Sequence, residues 1–254
     1  MRVATWNVNS IRTRIDQVVS WLEQWRPEVV LLQETRCPDH AFPTKAVTRA
    51  GYGVAHHGID HRNGVAILSR IGLGDVQRGF PGISRPPFDE ARLLSATCGG
   101  VRLHCVYVPN GRELDDPHYL FKLVWLERLR SVVDPARPSI VGGDVNVAPT
   151  DLDIYDPSRW RRRTHASAPE RAAIDALGDV GLVDVTRTHH PGPGVYTWWG
   201  YRPGMFESNR GLRIDLLLAT HDLAARTTAV AIDSEARAAE RPSDHAPVVM
   251  DIAI

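Results

Sequence analysis

The sequence predicts an α/β fold in one domain. Short apolar runs recur along the chain and hand polar residues to their carboxyl ends, and amphipathic stretches of helical period separate several of them. No linker, repeat or low-complexity segment divides the 254 residues, a length that buries a sizeable core.

The first run, Arg2-Val3-Ala4-Thr5-Trp6, reads as a strand leading into Asn7-Val8-Asn9. Ile11, Ile15, Val18, Val19 and Leu22 then follow helical spacing, and Pro27 stops that helix because it lacks an N–H and its ring clashes with the preceding turn. Val29-Val30-Leu31-Leu32 reads as a strand buried on both faces, carrying Gln33-Glu34-Thr35 to its end. Gly51 to Ala55 and Gly64 to Leu68 are β-type runs expected as antiparallel neighbours. Gly79 to Asp89, with Pro81, Pro86 and Pro87, is expected as a surface loop. Arg92 to Thr97 and Val101 to Val108 are strands joined by the turn Gly99-Gly100, the second ending at Tyr107-Val108-Pro109-Asn110-Gly111. Pro117 to Val133 is expected as a helix whose apolar stripe is Leu120, Leu123, Val124, Leu126 and Leu129. Ser139 to Gly142 is another buried strand, delivering Gly143-Asp144-Val145-Asn146. Ser167-Ala168-Pro169-Glu170 is a capping box opening a helix through Leu177, a structural assignment, and Gly181 to Val185 is expected as a strand. The aromatics Tyr196, Trp198, Trp199 and Tyr201, set among glycines and prolines, form either an exposed loop that presents apolar wedges to unstacked bases or a local core.

Thirty basic and thirty acidic side chains cancel, so bulk charge favours neither nucleic acid nor membrane, and an anionic partner is served locally. No apolar run approaches bilayer length and no basic-then-apolar leader precedes the first strand, so the expected location is the cytoplasm, with no membrane association. Cys37, Cys98 and Cys105 are odd in number and lack metal-ligand spacing, in keeping with a reducing compartment and with no zinc site.

Asp215 is a lone carboxylate in the apolar run Leu212 to Leu218, and burying it unpaired costs several kcal/mol. His245, in Ser243-Asp244-His245-Ala246-Pro247, is its candidate partner; such a pair orients an imidazole and fixes its tautomer. Asn7 and Glu34, both at strand ends, are candidates for one site. Asp144 and Asn146, two residues apart on an extended chain, are expected to point the same way and to suit a hard metal of the magnesium type. Arg159-Trp160-Arg161-Arg162-Arg163 is the one strongly basic run, either a solvated charge run or one that contacts phosphates.

Together these strand-end motifs occur in the order found in the exonuclease III family of apurinic/apyrimidinic endonucleases. The sequence resembles that family from end to end, including connecting stretches such as Ala148 to Asp153 and Asn209 to Arg213. The resemblance implies a four-layer α/β sandwich: two packed mixed β-sheets flanked by helices, with the active site at one edge. It implies a magnesium-dependent, monomeric enzyme, manganese substituting, that acts on double-stranded DNA. Such an enzyme hydrolyses the phosphodiester 5′ to an abasic site and leaves a 3′-hydroxyl; many members also remove 3′-blocking groups or nucleotides. Metal ligation is implied for Asn7, Glu34, Asp144, Asn146 and Asp244, catalytic roles for Tyr107, Asp144, Asn146, Asp215 and His245, and DNA contacts for Arg92, Asn110, Trp198, Trp199 and Arg210. In that scheme Glu34 is the principal ligand and Asp144, helped by Asn146, aligns and deprotonates the attacking water. His245, oriented by Asp215, contacts the phosphate as an imidazolium, and Tyr107 positions or protonates nearby. Gly200 departs from the aspartate of the best-known bacterial relative, and the expectation drawn from it is abasic-site cleavage in excess of 3′-exonuclease activity. The alternative is another phosphatase or phosphodiesterase of the same superfamily acting on a non-DNA phosphate ester; the Trp198-Trp199 pair and the basic run favour DNA.

Overall fold

The second strand, apolar up to its last residue, sits inside the first of two sheets. In the computed structural model, which describes residues 1–83 and 85–254, β2 (Val29–Gln33) is buried along its length. It pairs parallel with β1 (Arg2–Asn7) and antiparallel with β4 (Val65–Ser69), which in turn pairs antiparallel with β3 (Gly53–His57). The carboxyl-terminal strands β11 (Thr227–Ile232) and β12 (Val248–Ile252) extend the other side of β1, giving the order β11-β12-β1-β2-β4-β3. The second sheet holds β5 (Gly74–Arg78), β6 (Leu93–Cys98), β7 (Val101–Tyr107), β8 (Ser139–Asp144), β9 (Leu182–Asp184) and β10 (Asp215–Thr220) in the order β5-β6-β7-β8-β10-β9. β7 and β8 are its parallel pair.

Period-two alternation explains the packing. Val3, Leu31 and Ile67 of the first sheet meet Leu103, Cys105 and Leu217 of the second in one buried cluster between the sheets. The opposite face of the first sheet is covered by α1 (Ile11–Trp25) and α2 (Thr44–Arg49), that of the second by α3 (Pro117–Arg130) and α4 (Ala168–Gly178). The result is the expected four-layer α/β sandwich. Burial of a side chain such as Leu31 stabilises it by about 1.5–3 kcal/mol. α1 ends where Arg26 turns left-handed, one residue before Pro27. Short helices α5 (Val185–His189), α6 (His221–Ala225) and α7 (Ser234–Ala238) complete the fold.

Three expectations need correction, and one strand had no sequence signal. On α3 the buried face is Tyr119, Lys122, Trp125, Leu126 and Leu129, whereas Leu120 and Val124 face solvent, because a buried lysine turns the helix away from its purely apolar stripe. The strand expected over 181–185 is only β9, and Val185 already begins α5, with the Asp184 side chain accepting from the Arg187 N–H. β5 is an edge strand of polar residues without an apolar pattern to reveal it. The loop from Gly79 to Asp89 is not all surface: Phe80 packs edge-on against Trp125 in the core under α3. Ser84 of that loop lies outside the described residues.

Candidate active site

Strand register assembles the site. Tyr107, Asp144 and Asp215 are direct partners across β7, β8 and β10, so three residues far apart in sequence form one row at a sheet edge. Across the interface, β1 and β2 end side by side with Asn7 opposite Gln33, and Glu34 follows. Their parallel pairing brings both carboxyl ends to the edge that carries the row.

Asn7 joins the two sheets. Its Nδ2 donates to Glu34 Oε1 at 2.8 Å and to Asp144 Oδ2 at 2.9 Å. Ligand atoms of Glu34, Asp144 and His245 all lie within 4.8 Å of one another. His245 Nδ1 is 2.8 Å from Asp215 Oδ2, and the same oxygen accepts from the Thr197 hydroxyl at 2.6 Å. His245 Nε2 lies 3.7 Å from Asp144 Oδ2, too long for a hydrogen bond, so it is aimed into the site without a committed acceptor.

The charges perturb one another strongly. Burial works to depress the His245 imidazole, but the Asp215 and then the Asp144 carboxylates outweigh it and raise its pKa to about 10. Burial pushes Asp144 up to about 7, with His245 opposing and Asp215 and Glu34 reinforcing. Burial, followed by the charges of Glu34 and Asp144, lifts the Tyr107 phenol well above its usual range, so it is held protonated as a donor. Burial would raise Asp244 as well, but His245 and the Trp198 indole N–H bring it below the ordinary carboxylate range.

Asn146 does not lie on an extended chain as expected. β8 stops at Asp144, and Asn146 has φ 52°, a left-handed conformation that asparagine tolerates. The two still face one cavity because the Asn146 N–H donates to Asp144 Oδ1 at 2.9 Å. That cavity, of about 350 Å³, is lined by Glu34, Tyr107, Asn110, Asp144, Asn146, Trp198, Asp244 and His245 together with Trp160, His165, Leu212 and Ile214. One wall is thus carboxylate and imidazole, the other apolar. Asn110 Nδ2 reaches Asn146 Oδ1 at 3.2 Å and Asp244 accepts from Trp198 Nε1 at 3.0 Å.

Two expected DNA contacts are engaged elsewhere. Trp199 is 3% exposed, packs edge-on against Phe206 and donates to Asn209 Oδ1, so it is a core residue and no wedge. The reason is tertiary: Trp198 bridges both Leu212 and His245, and the Trp199 N–H donates to Asp244 O, which folds the aromatic segment under. Gly211 makes room for it, since a side chain there would lie 2.6 Å from Trp199 Nε1. Arg92 is 6% exposed, pairs with Glu90 and stacks over the Tyr107 ring at 4.8 Å, supporting that ring from behind. Arg210 is exposed and lies outside the cavity lining. Three participants had no signal of their own in the sequence. Thr197 lay among aromatics, His165 was isolated, and Asn9 gained its role only because its Nδ2 holds Asp244 Oδ1 at 3.0 Å.

The donor set fits a hard divalent cation. Two converging carboxylates repel each other unless a cation or proton intervenes, and Glu34 and Asp144 supply oxygen ligands. The carboxylates of Glu34 and Asp144 thus converge on the His245 imidazole beside an apolar cluster of Trp160, Trp198, Leu212 and Ile214. The chain belongs to the endonuclease/exonuclease/phosphatase family, whose model matches residues 4–245. Within it the chain is similar to the exonuclease III group: it is 33% identical to Exodeoxyribonuclease III of Haemophilus influenzae, with 98% of each chain covered. Among solved structures it is similar, over 100% of both chains and with a TM-score of 0.96 in each case, to an AP endonuclease from Archaeoglobus fulgidus at 37% identity and to the 3′-5′ exonuclease NExo from Neisseria meningitidis at 40%.

Proposed function

We propose that this protein is a DNA-repair nuclease that hydrolyses phosphate esters of double-stranded DNA, at abasic sites and at blocked 3′ ends. The observation that carries the reading is the convergence of Glu34, Asp144 and His245 beside an apolar wall of Trp160, Trp198, Leu212 and Ile214. A phosphate needs the first surface; a deoxyribose, with or without its base, fits the second. Relatives named as AP endonuclease and as 3′-5′ exonuclease support the same substrate polymer.

Glu34, with Asp144 beside it, would hold magnesium, manganese substituting, and Asn7 keeps the two carboxylates in register. The bound ion supplies neutralisation of phosphate charge. Asp144 takes the proton of the attacking water, which Asn146 helps to orient. His245 donates from Nε2 to a phosphate oxygen, and its positive charge stabilises the added negative charge at phosphorus. Asp215 fixes the ring through Nδ1 and is itself fixed by Thr197. Tyr107, protonated, donates to the same phosphate region. Asp244, held by Asn9 and Trp198, adds negative charge to the metal side of the cavity. Asn110 and Trp198 contact DNA at the cavity and Arg210 outside it. We place the enzyme in the cytoplasm as a monomer. Three free buried cysteines agree with a reducing compartment, and among the described residues no helix is long and apolar enough to cross a membrane.

The test uses one labelled duplex with a central abasic site and another with a 3′-phosphate, each with magnesium and with chelator. Metal-dependent cleavage leaving a 3′-hydroxyl is the expected result. Turnover of an inositol phosphate with both duplexes untouched would reverse the reading. The ratio of abasic-site cleavage to 3′-exonuclease degradation on one labelled duplex decides whether abasic-site cleavage leads, as Gly200 suggests.

A further inference from the structure

Behind the cavity lies an ion pair that this scheme does not use. Lys122 on α3 and Glu170 on α4 are both fully buried, and Lys122 Nζ donates to Glu170 Oε1. Desolvating two charges costs several kcal/mol each, and an apolar pair of like volume is often as stable or more so. Stability alone is therefore a poor reason for it.

Three of the pair's other hydrogen bonds reach the backbone of cavity residues Asn110, Asn146 and His165, while Glu170 Oε2 closes the α4 capping box with Ser167. Lys122 Nζ lies 2.7 Å from Asn146 O, 3.1 Å from Asn110 O and 3.3 Å from Thr164 Oγ1. The Thr164 hydroxyl is in turn 2.9 Å from Asn110 O and 2.7 Å from Glu170 Oε1, which also accepts the His165 N–H at 2.9 Å. Asn110, Asn146 and His165 are the three residues whose side chains meet at the cavity: Asn146 Oδ1 is 3.2 Å from Asn110 Nδ2 and 3.0 Å from His165 Nε2. Two of those backbones are left-handed, Asn146 at φ 52° and His165 at φ 81°. Such conformations persist only where surrounding contacts over-determine them. Gly111 allows the approach, because a side chain there would lie 2.5 Å from Thr164 Oγ1 and 3.2 Å from Lys122 Cδ.

We propose that Lys122 is a positioning residue: paired with Glu170, it locks the backbone of Asn110, Asn146 and His165 and thereby sets the amides and imidazole that line the phosphate side of the cavity. This rests on the nuclease reading for its kinetic consequence but not for its structural one. The test compares the parent with Lys122→Met/Glu170→Met, which removes both charges together at similar volume, and with the isosteric Thr164→Val.

Each variant is first checked for its thermal midpoint and then assayed on the abasic and 3′-phosphate duplexes. The double variant is expected to lose kcat by about 10- to 100-fold, the scale of small misplacements in an active site. KM is expected to stay within about threefold, since binding groups remain. Thr164→Val, which is expected to fold in any case, should lose kcat by about 3- to 10-fold. Independently of turnover, the Asn110 and Asn146 side-chain amide resonances of labelled protein should shift in Thr164→Val. Parent kcat in folded variants overturns the proposal, as do unmoved amide resonances. If the parent cleaves neither duplex, the nuclease reading fails and the resonances alone decide the positioning role.

Discussion

Asp144 faces opposing demands. Its Oδ2 accepts from Asn7, its Oδ1 from the Asn146 N–H, and burial, opposed by the His245 charge and reinforced by those of Asp215 and Glu34, brings its pKa to about 7. Stability would be better served by a neutral group at that point, the usual condition of a functional site. Asp144→Asn is accordingly expected to lower kcat by about 10²- to 10⁴-fold while the folded protein becomes no less stable in metal-free buffer. Single-turnover cleavage and a urea titration check the two halves, and activity within tenfold of the parent would remove Asp144 as the base. The two adjacent tryptophans separate in the same way. Trp199→Ala empties a core site and is expected to cost about 3–5 kcal/mol, whereas Trp198→Ala, at the cavity wall, is expected chiefly to weaken DNA binding. Denaturant midpoints beside binding isotherms distinguish them.

At the scale of an element, β7 shows how one strand serves two environments. Leu103 and Cys105 point between the sheets, and His104 points outward, buried, its Nδ1 2.8 Å from Ser95 Oγ. Burial, then the charges of Arg102 and Arg137, lower its pKa to about 4. The unfolded imidazole titrates near 6.5, so the folded state resists a proton that the unfolded state accepts. The stability linked to His104 is therefore complete above about pH 6.5 and is lost as pH falls toward 4, by about 3 kcal/mol at most. His104→Gln is expected to flatten that decline, read from urea midpoints at pH 7.5 and 4.5; equal slopes in parent and variant would contradict it. On α3 the buried lysine rotates the packed face away from Leu120 and Val124, a shift no hydrophobic periodicity registers.

For the whole molecule, two sheets share one core, and we propose that the chain unfolds as a single cooperative unit. Calorimetric and van't Hoff enthalpies should coincide, and two separated transitions would refute it. Divalent metal should stabilise that unit, since a ligand binding only the folded state at 100 times its Kd contributes about 2.7 kcal/mol. The thermal midpoint is expected to rise with magnesium and fall back with chelator, and Glu34→Gln with Asp144→Asn should abolish the rise. Much of this architecture was legible beforehand. Strands such as Val29–Gln33 and helices such as Ile11–Trp25 declare themselves by local periodicity, and Asp215 announces a partner because a carboxylate does not stay unpaired among leucines. The order of strand-end motifs likewise points to the family from sequence alone. What only the tertiary structure decided was which polar residues are free to act. Trp199 and Arg92 were withdrawn into packing, Asn146 reached the cavity by a left-handed turn, and Thr197, His165 and the Lys122–Glu170 pair entered through contacts between segments distant in sequence. Periodicity records how each segment meets solvent or core, whereas a site depends on which segments meet one another, and that is settled only when strand register and sheet packing close.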